Sequence, residues 1–140
     1  MRVYLDASPV IYFVERVQPY AEQVGRRIGA AEIDRVVSQL TRLECRVGPL
    51  RDASATLLRQ FDRFFADAAL EIVELTQEVI DRATEIRAEY RFSTTDAIHP
   101  AAALVARCDV FLTNDHRLAR FAGITIEAVE GGTDLSARSR

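Results

Sequence analysis

The chain has 140 residues, and its composition of 49% hydrophobic and 28% charged residues is that of one globular domain with its own core. All 18 basic residues are arginine. This excludes P-loop nucleotide binding, Schiff-base chemistry and a response-regulator receiver, because each of these needs a lysine. The net charge of −3 gives no sign of a nucleic-acid partner.

The apolar periodicity alternates along the chain between strand-like and helix-like segments. We predict strands at residues 3–5, 32–38, 70–75, 110–112 and 124–129. We predict helices at residues 9–14, 20–31, 39–47, 53–68, 77–90 and 94–107, and a short helix near Leu118. Strands separated by helices indicate an α/β fold in which helices cover both faces of a parallel sheet.

Several helix ends carry local signals. Ser8 before Pro9 is typical of a helix N-cap, as are Asp52 and Thr76. Gly48-Pro49 is expected to end the third helix. We expect residues 1–130 to form a single domain and residues 131–140 to be a flexible tail.

No apolar run approaches the ~20 residues that a membrane span needs, and the N-terminus lacks the pattern of a secretory signal. We therefore expect a cytoplasmic protein without membrane contact. Cys45 and Cys108 lack CxxC spacing, and we expect two buried, reduced thiols.

Acidic residues stand where a site would form in such a sheet. Asp6 and Asp115 each follow the carboxyl end of a predicted strand, where ligands bind in parallel sheets. Glu44 lies beside the apolar stripe of its helix, and Asp96 opens another helix. Each acid alone has an ordinary explanation, as a loop acid, a side chain reaching solvent or a helix cap.

The four carboxylates together indicate a metal site. Carboxylates held close repel one another unless a cation joins them. Hard oxygen ligands favour Mg²⁺ or Mn²⁺, and such ions promote in-line displacement at phosphate. The pattern therefore favours phosphodiester hydrolysis.

Four longer motifs make the hypothesis specific. They are VYLDASPVIYFVE (3–15), SQLTRLECRVGPLR (38–51), TTDAIHPAAAL (94–104) and VFLTNDHRLARFAGI (110–124). In this order the motifs resemble the four acidic motifs of PIN-domain ribonucleases, specifically the VapC toxins of bacterial toxin–antitoxin pairs. The resemblance covers nearly the whole chain except the tail.

The resemblance implies a three-layer α/β/α fold with a five-stranded parallel sheet of order 3-2-1-4-5. It also implies an endoribonuclease that depends on Mg²⁺ or Mn²⁺, forms a homodimer and is inhibited by a small VapB-like antitoxin. The catalytic, metal-binding acids carried over by position are Asp6, Glu44, Asp96 and Asp115. We expect direct metal ligation by Asp6 and Asp96, and ligation partly through water by Glu44 and Asp115.

The resemblance also implies supporting roles for residues around these acids. Thr113 and Asn114 are expected to hold the Asp115 loop by hydrogen bonds. Ser8 is expected either to support Asp6 or to act only as a helix cap. Pro100 is a departure, since the family usually has an aliphatic residue there, and its ring crowds the carbonyl of residue 96. Either the helix begins after Asp96, or Asp96 is displaced.

The histidines and arginines near the motifs have less definite roles. We expect His99 to pack or hydrogen-bond within its own helix and His116 to be solvated, rather than either to act as a general base. Five arginines could contact RNA phosphates, although each alone is better explained as a surface charge: Arg42, Arg46, Arg51, Arg117 and Arg120.

Two other functions fit parts of the pattern. A haloacid-dehalogenase-type phosphatase would use Asp6 as its nucleophile, but it needs a second aspartate where Ser8 stands. A non-catalytic PIN-like scaffold that binds RNA or protein would not need all four acids. An apolar stripe at residues 57–65 is expected to be core, and part of it could meet a partner chain.

Overall fold

The computed structural model describes residues 1–129. Its strands are β1 (Arg2–Leu5), β2 (Asp34–Ser38), β3 (Glu71–Val73), β4 (Val110–Thr113) and β5 (Thr125–Ala128). Its α-helices are α1 (Ala7–Val14), α2 (Tyr20–Gly29), α3 (Gln39–Arg51), α4 (Ala55–Phe65), α5 (Gln77–Tyr90) and α6 (Thr94–Val105). A 3₁₀ helix at His116–Arg120 lies between β4 and β5.

The strands form one sheet in the order β3-β2-β1-β4-β5, and every neighbouring pair is parallel. The central strand β1 pairs with β2 on one side and β4 on the other, so the strand order reverses at β1. A ligand site in such a sheet is expected outside the carboxyl ends of these strands. The predicted α/β fold with strand order 3-2-1-4-5 is confirmed.

Alternate residues of β1 point into two separate cores, which explains the three layers. Val3 and Leu5 pack into the cluster that also contains residues of α1, α2 and α4. Tyr4 packs into the opposite cluster with α5 and α6. All three side chains are fully buried, and each contributes about 1.5–3 kcal/mol if treated as a typical large apolar residue. The central strand is therefore anchored from both sides.

The first helix begins earlier than predicted. Asp6 is the N-cap of α1, and its Oδ1 accepts a hydrogen bond of 2.8 Å from Ala7 N. The prediction of a Ser8 cap is wrong, because the carboxylate at the strand end already reaches the first helical amide. Pro9 is tolerated because it lies in the first turn, where backbone N–H groups lack helical acceptors.

The third helix also departs from the prediction. Helix α3 continues through Gly48-Pro49 to Arg51, with Pro49 buried inside it, so tertiary packing overrides the expected break. Asp52 ends this helix and does not cap the next one. Instead, Ser54 caps α4 and accepts a hydrogen bond from Leu57 N at 3.3 Å.

The aromatic stripe of α4 packs into the core. Phe61 and Phe65 of α4 are buried, as predicted for that stripe. Both cysteines are free, but only Cys45 is buried as predicted. Cys108 is half-buried, and burial raises its pKa to about 12. Within residues 1–129, no helix has the length and apolar character needed to cross a membrane. The predicted tail, residues 131–140, lies outside the described residues.

Pro100 lies inside α6, which begins at Thr94 after the Ser93 cap. The alternative that this helix begins after Asp96 is therefore wrong. Ser93 Oγ accepts a hydrogen bond of 3.2 Å from Asp96 N, which holds the first turn from its other end. Because proline has no N–H, residue 100 cannot donate the usual helical bond to the Asp96 carbonyl.

We predict that Pro100→Ala raises the free energy of unfolding by about 1–2 kcal/mol. The new amide can bond the Asp96 carbonyl and the ring clash disappears, which outweighs the lost packing of the small ring. Chemical denaturation measures the change. Pro9→Ala is the control, because the first turn of α1 offers no such bond, and it should give no gain. A lower stability for Pro100→Ala would contradict this account.

Candidate metal centre

Asp6 lies at the carboxyl end of the central strand, where its carboxylate is buried. Its Oδ2 accepts a hydrogen bond of 2.7 Å from Thr113 Oγ1, and its backbone N donates to the Leu112 carbonyl at 3.0 Å. Burial raises the pKa of Asp6, while the nearby His99 and the Thr113 hydroxyl oppose that shift. A buried carboxylate of this kind requires a positive partner to remain charged.

His99 of α6 supplies one such partner. Its Nε2 lies 2.5 Å from Glu44 Oε1 and 3.3 Å from Asp6 Oδ1, so the imidazole bridges two of the predicted acids. Burial by itself would lower the pKa of His99, but the surrounding Tyr4, Asp6 and Glu44 raise it well above its usual value. The expectation that His99 bonds within its own helix is therefore wrong.

Tyr4 holds the other side of the imidazole. Its hydroxyl lies 2.7 Å from His99 Nδ1 and donates to Ser38 Oγ at 2.8 Å. Ser38 caps α3 by accepting hydrogen bonds from the amides of Leu40 and Thr41. The chain of contacts thus links the start of the Glu44 helix to His99 through the central strand.

Asp96 and Asp115 form a second pair, bridged by Arg117. The guanidinium contacts Asp115 through Nε at 2.9 Å and Nη2 at 2.5 Å, and Nη2 lies 3.8 Å from Asp96 Oδ2. Although burial tends to raise the pKa of Asp115, the hydrogen bonds and charge of Arg117 lower it overall. Asp115 also caps the 3₁₀ helix, accepting a hydrogen bond of 3.0 Å from Arg117 N.

Thr113 connects the two pairs. Its hydroxyl donates to Asp6 and accepts a hydrogen bond from Asp115 N at 2.9 Å. On α6, Asp96 precedes His99 by three residues, a spacing that places them on one face of the helix. The four predicted acids therefore lie around one edge of the sheet as two pairs, each bridged by a basic side chain.

The predicted supporting residues hold the loop after β4. Asn114 Nδ2 donates to Tyr12 Oη at 2.9 Å, and Asn114 N donates to Ser8 Oγ at 3.2 Å. Ser8 thus contacts the Asp115 loop rather than capping α1. Together these bonds tie the end of β4 to the first helix, and so fix Asp115 relative to Asp6.

The donor atoms fit a divalent cation. Asp6, Glu44 and His99 each offer one ligand atom, and these atoms all lie within 4.8 Å of one another. Two carboxylates and an imidazole are ligands that Mn²⁺ accepts, and the carboxylates also suit Mg²⁺. This cluster combines Asp6 and Glu44, which the sequence indicated, with His99, which was expected to have no part in it.

His99 and Tyr4 were missed although the sequence holds a signal for each. His99 follows Asp96 by three residues, and Tyr4 is the single polar residue among the buried positions of β1.

The other basic candidates are held by different contacts. Arg46 pairs with Asp62 at 2.7 Å, and the Arg120 guanidinium lies 4.5 Å from the Phe92 ring centre. His116 is exposed, as expected.

We predict that Thr113→Val lowers the free energy of unfolding by about 2–3 kcal/mol. The change keeps the side-chain shape but removes a hydroxyl that bonds a buried carboxylate and an amide. Urea denaturation measures the loss. Thr113→Ser retains the hydroxyl and should lose less than half as much. Equal losses in the two variants would show that the methyl group, not the hydrogen bonds, stabilises this edge.

Comparison with known families gives one clear match. A family model described as PIN domain matches residues 3–124. No curated protein matches the chain.

Solved structures share the fold at low sequence identity. A toxin–antitoxin complex from Klebsiella pneumoniae has 21% identity and a TM-score of 0.68, covering 88% of this chain and 95% of that chain. VapBC2 from Rickettsia felis, bound to a promoter DNA fragment, has 15% identity and a TM-score of 0.73, with coverage of 91% and 98%. The sarcin–ricin loop cleaving toxin VapC20 of Mycobacterium tuberculosis has 14% identity and a TM-score of 0.64, with coverage of 86% and 90%. Because the family model spans most of the chain and these structures share its architecture, the chain belongs to the PIN domain family.

Proposed function

We propose that this PIN domain is a metal-dependent endoribonuclease of the VapC type, the toxin of a toxin–antitoxin pair. The observation that carries the proposal is the arrangement of the four acids around one edge of the sheet. One basic side chain bridges Asp6 and Glu44, and another bridges Asp96 and Asp115. The similar structures include a toxin described as cleaving the sarcin–ricin loop, which supports RNA as the substrate class.

The proposed chemistry needs Mg²⁺ or Mn²⁺, which supplies Lewis acidity for phosphodiester hydrolysis when bound. In this proposal Asp6 and Asp96 would hold the ion directly, and Glu44 and Asp115 would hold it partly through water. Thr113 keeps the Asp6 carboxylate oriented by its 2.7 Å hydrogen bond. The buried position of Asp6 restricts water around its carboxylate, which strengthens its electrostatic interaction with a cation.

Arg117 is suited to contact the RNA backbone. Its side chain is 56% exposed although it contacts two of the acids, so a phosphate can reach its outer face. The planar guanidinium binds phosphate through two parallel hydrogen bonds. In the proposed reaction Arg117 positions a phosphate beside the carboxylates. A bound divalent ion would offset the negative charge of these carboxylates.

A small VapB-like antitoxin is the proposed protein partner, and the proposed setting is the cytoplasm. Several structures that share the fold are toxin–antitoxin complexes, including those from Klebsiella pneumoniae and Rickettsia felis. A cavity of about 710 Å³ between α1, α2 and α4 offers Phe13, Val14 and Phe64 to such a partner. Phe13 and Phe64 meet edge to face there, with ring centres 6.1 Å apart.

We predict that Asp6→Asn and Asp96→Asn each reduce RNA cleavage by about 100-fold or more, because each removes a charged ligand of the ion. Purified protein is incubated with total RNA in Mg²⁺, Mn²⁺ or EDTA, and product ends are sequenced. Asp81→Asn is the control, since Asp81 is an exposed acid of α5 that lies outside the four motifs.

Discrete products that require the ion and disappear in both site variants support the nuclease. Unimpaired cleavage by both variants contradicts it. Absence of cleavage in every condition, in a folded protein, favours the non-catalytic scaffold instead.

An apolar stripe on α3 is the proposed homodimer surface. Leu43, Val47 and Leu50 are 60%, 51% and 58% exposed, and their spacing places them along one side of the helix. They line a groove of about 450 Å³ together with Leu75 of the neighbouring loop. Large apolar side chains exposed in a row are typical of a surface that another protein covers.

We predict that Val47→Arg combined with Leu50→Arg weakens the homodimer by at least 100-fold. Each apolar side chain buried in a dimer contributes about 1.5–3 kcal/mol, so the pair accounts for a change of this size. Light scattering across a dilution series measures the dissociation constant. Thr56→Arg with Gln60→Arg adds the same charge to exposed positions of α4 and should leave the dimer intact. A wild-type chain that stays monomeric at all concentrations would contradict the dimer.

A further inference from the structure

The imidazole of His99 is placed like a ligand between the two acids. Its Nε2 lies 3.3 Å from Asp6 Oδ1 and 2.5 Å from Glu44 Oε1. In an octahedral site with metal–ligand distances of about 2.1 Å, adjacent ligand atoms are about 3.0 Å apart. The distance from His99 Nε2 to Asp6 Oδ1 is already close to this value. A small movement of the half-buried Glu44 side chain would bring the distance from Nε2 to Glu44 Oε1 to the same value.

The opposite nitrogen of His99 is held in the state that ligation requires. Tyr4 donates its hydroxyl proton to Ser38 Oγ at 2.8 Å, which leaves Tyr4 Oη as an acceptor for an N–H at His99 Nδ1 across the 2.7 Å contact. An imidazole protonated at Nδ1 presents Nε2 as the atom able to bind a metal. The Tyr4 ring is itself fixed by stacking on Phe111, with ring centres 5.1 Å apart.

The His99 side chain is enclosed next to the two acids. His99 is 3% exposed, on a helix whose neighbouring alanines, Ala101, Ala102 and Ala103, are fully buried. An ion that binds Asp6 and Glu44 therefore comes within reach of Nε2.

We propose that His99 Nε2 is a direct ligand of the divalent ion that Asp6 and Glu44 hold. This inference rests on the proposed metal-dependent function and specifies the coordination at that site. A mixed carboxylate–imidazole donor set binds Mn²⁺ and similar transition ions more strongly than Mg²⁺, which prefers oxygen ligands alone. The site is accordingly selective for transition ions.

The test is electron spin echo envelope modulation of the Mn²⁺-loaded protein. A coordinated imidazole gives a ¹⁴N coupling that changes when the protein is labelled with ¹⁵N-histidine. The chain has two histidines, so the assignment needs two variants. We expect His116→Asn to keep the coupling, because His116 is exposed, and His99→Asn to lose it.

Tyr4→Phe provides a variant that preserves the ring packing. It removes only the hydroxyl that orients His99, and we expect its Mn²⁺ dissociation constant by calorimetry to rise about 10–100-fold. The dissociation constant for Mg²⁺ should change less, so the preference of the site for Mn²⁺ over Mg²⁺ becomes smaller. This readout stands even if the buried His99 variant does not fold.

Mn²⁺ binding to the wild-type chain without a histidine ¹⁴N coupling would overturn the inference. If the same preparation still cleaves RNA in a metal-dependent way, the proposed nuclease function stands even though His99 is not a ligand of the ion. A folded protein that neither binds Mn²⁺ nor cleaves RNA would overturn both.

Discussion

The structure depends on the burial of the Asp6 carboxylate at the end of the central strand. Parallel pairing places β1 between β2 and β4, and both faces of the sheet are covered, so the residue after Leu5 emerges in a protected place. A charge there is costly without partners. Thr113, the first amide of α1 and His99 each satisfy part of that carboxylate, and they come from three different segments.

The same constraint explains why basic side chains lie among the acids. His99 joins Asp6 to Glu44, and Arg117 joins Asp115 to Asp96, so each close pair of carboxylates shares a positive group. Acids gathered without such groups would repel one another and separate. In the function we propose, this arrangement keeps the carboxylates close enough to bind a divalent ion. The two basic side chains differ in burial. His99 is enclosed, whereas Arg117 faces solvent and can meet a substrate.

Much of the fold could be predicted from the sequence, because apolar periodicity reports which faces are buried. Strand order followed from the resemblance, not from periodicity. Local signals failed where tertiary contacts overrode them: Asp6 took the cap expected of Ser8, and α3 continued through Pro49. The acids were foreseen as a group, but the basic side chains that bridge them were not. The His99–Tyr4 contact joins residues 95 positions apart, which no local pattern encodes.

The most direct test of the central claim is an anomalous difference map from crystals of the wild-type protein grown with Mn²⁺. The account predicts a peak at the carboxyl edge of β1, about 2.1–2.3 Å from a carboxylate oxygen of Asp6. Glu44 or its water should lie on the same ion. Crystals saturated with Mn²⁺ that show no peak at this edge, with His99 and Arg117 still bridging the acids, would contradict it.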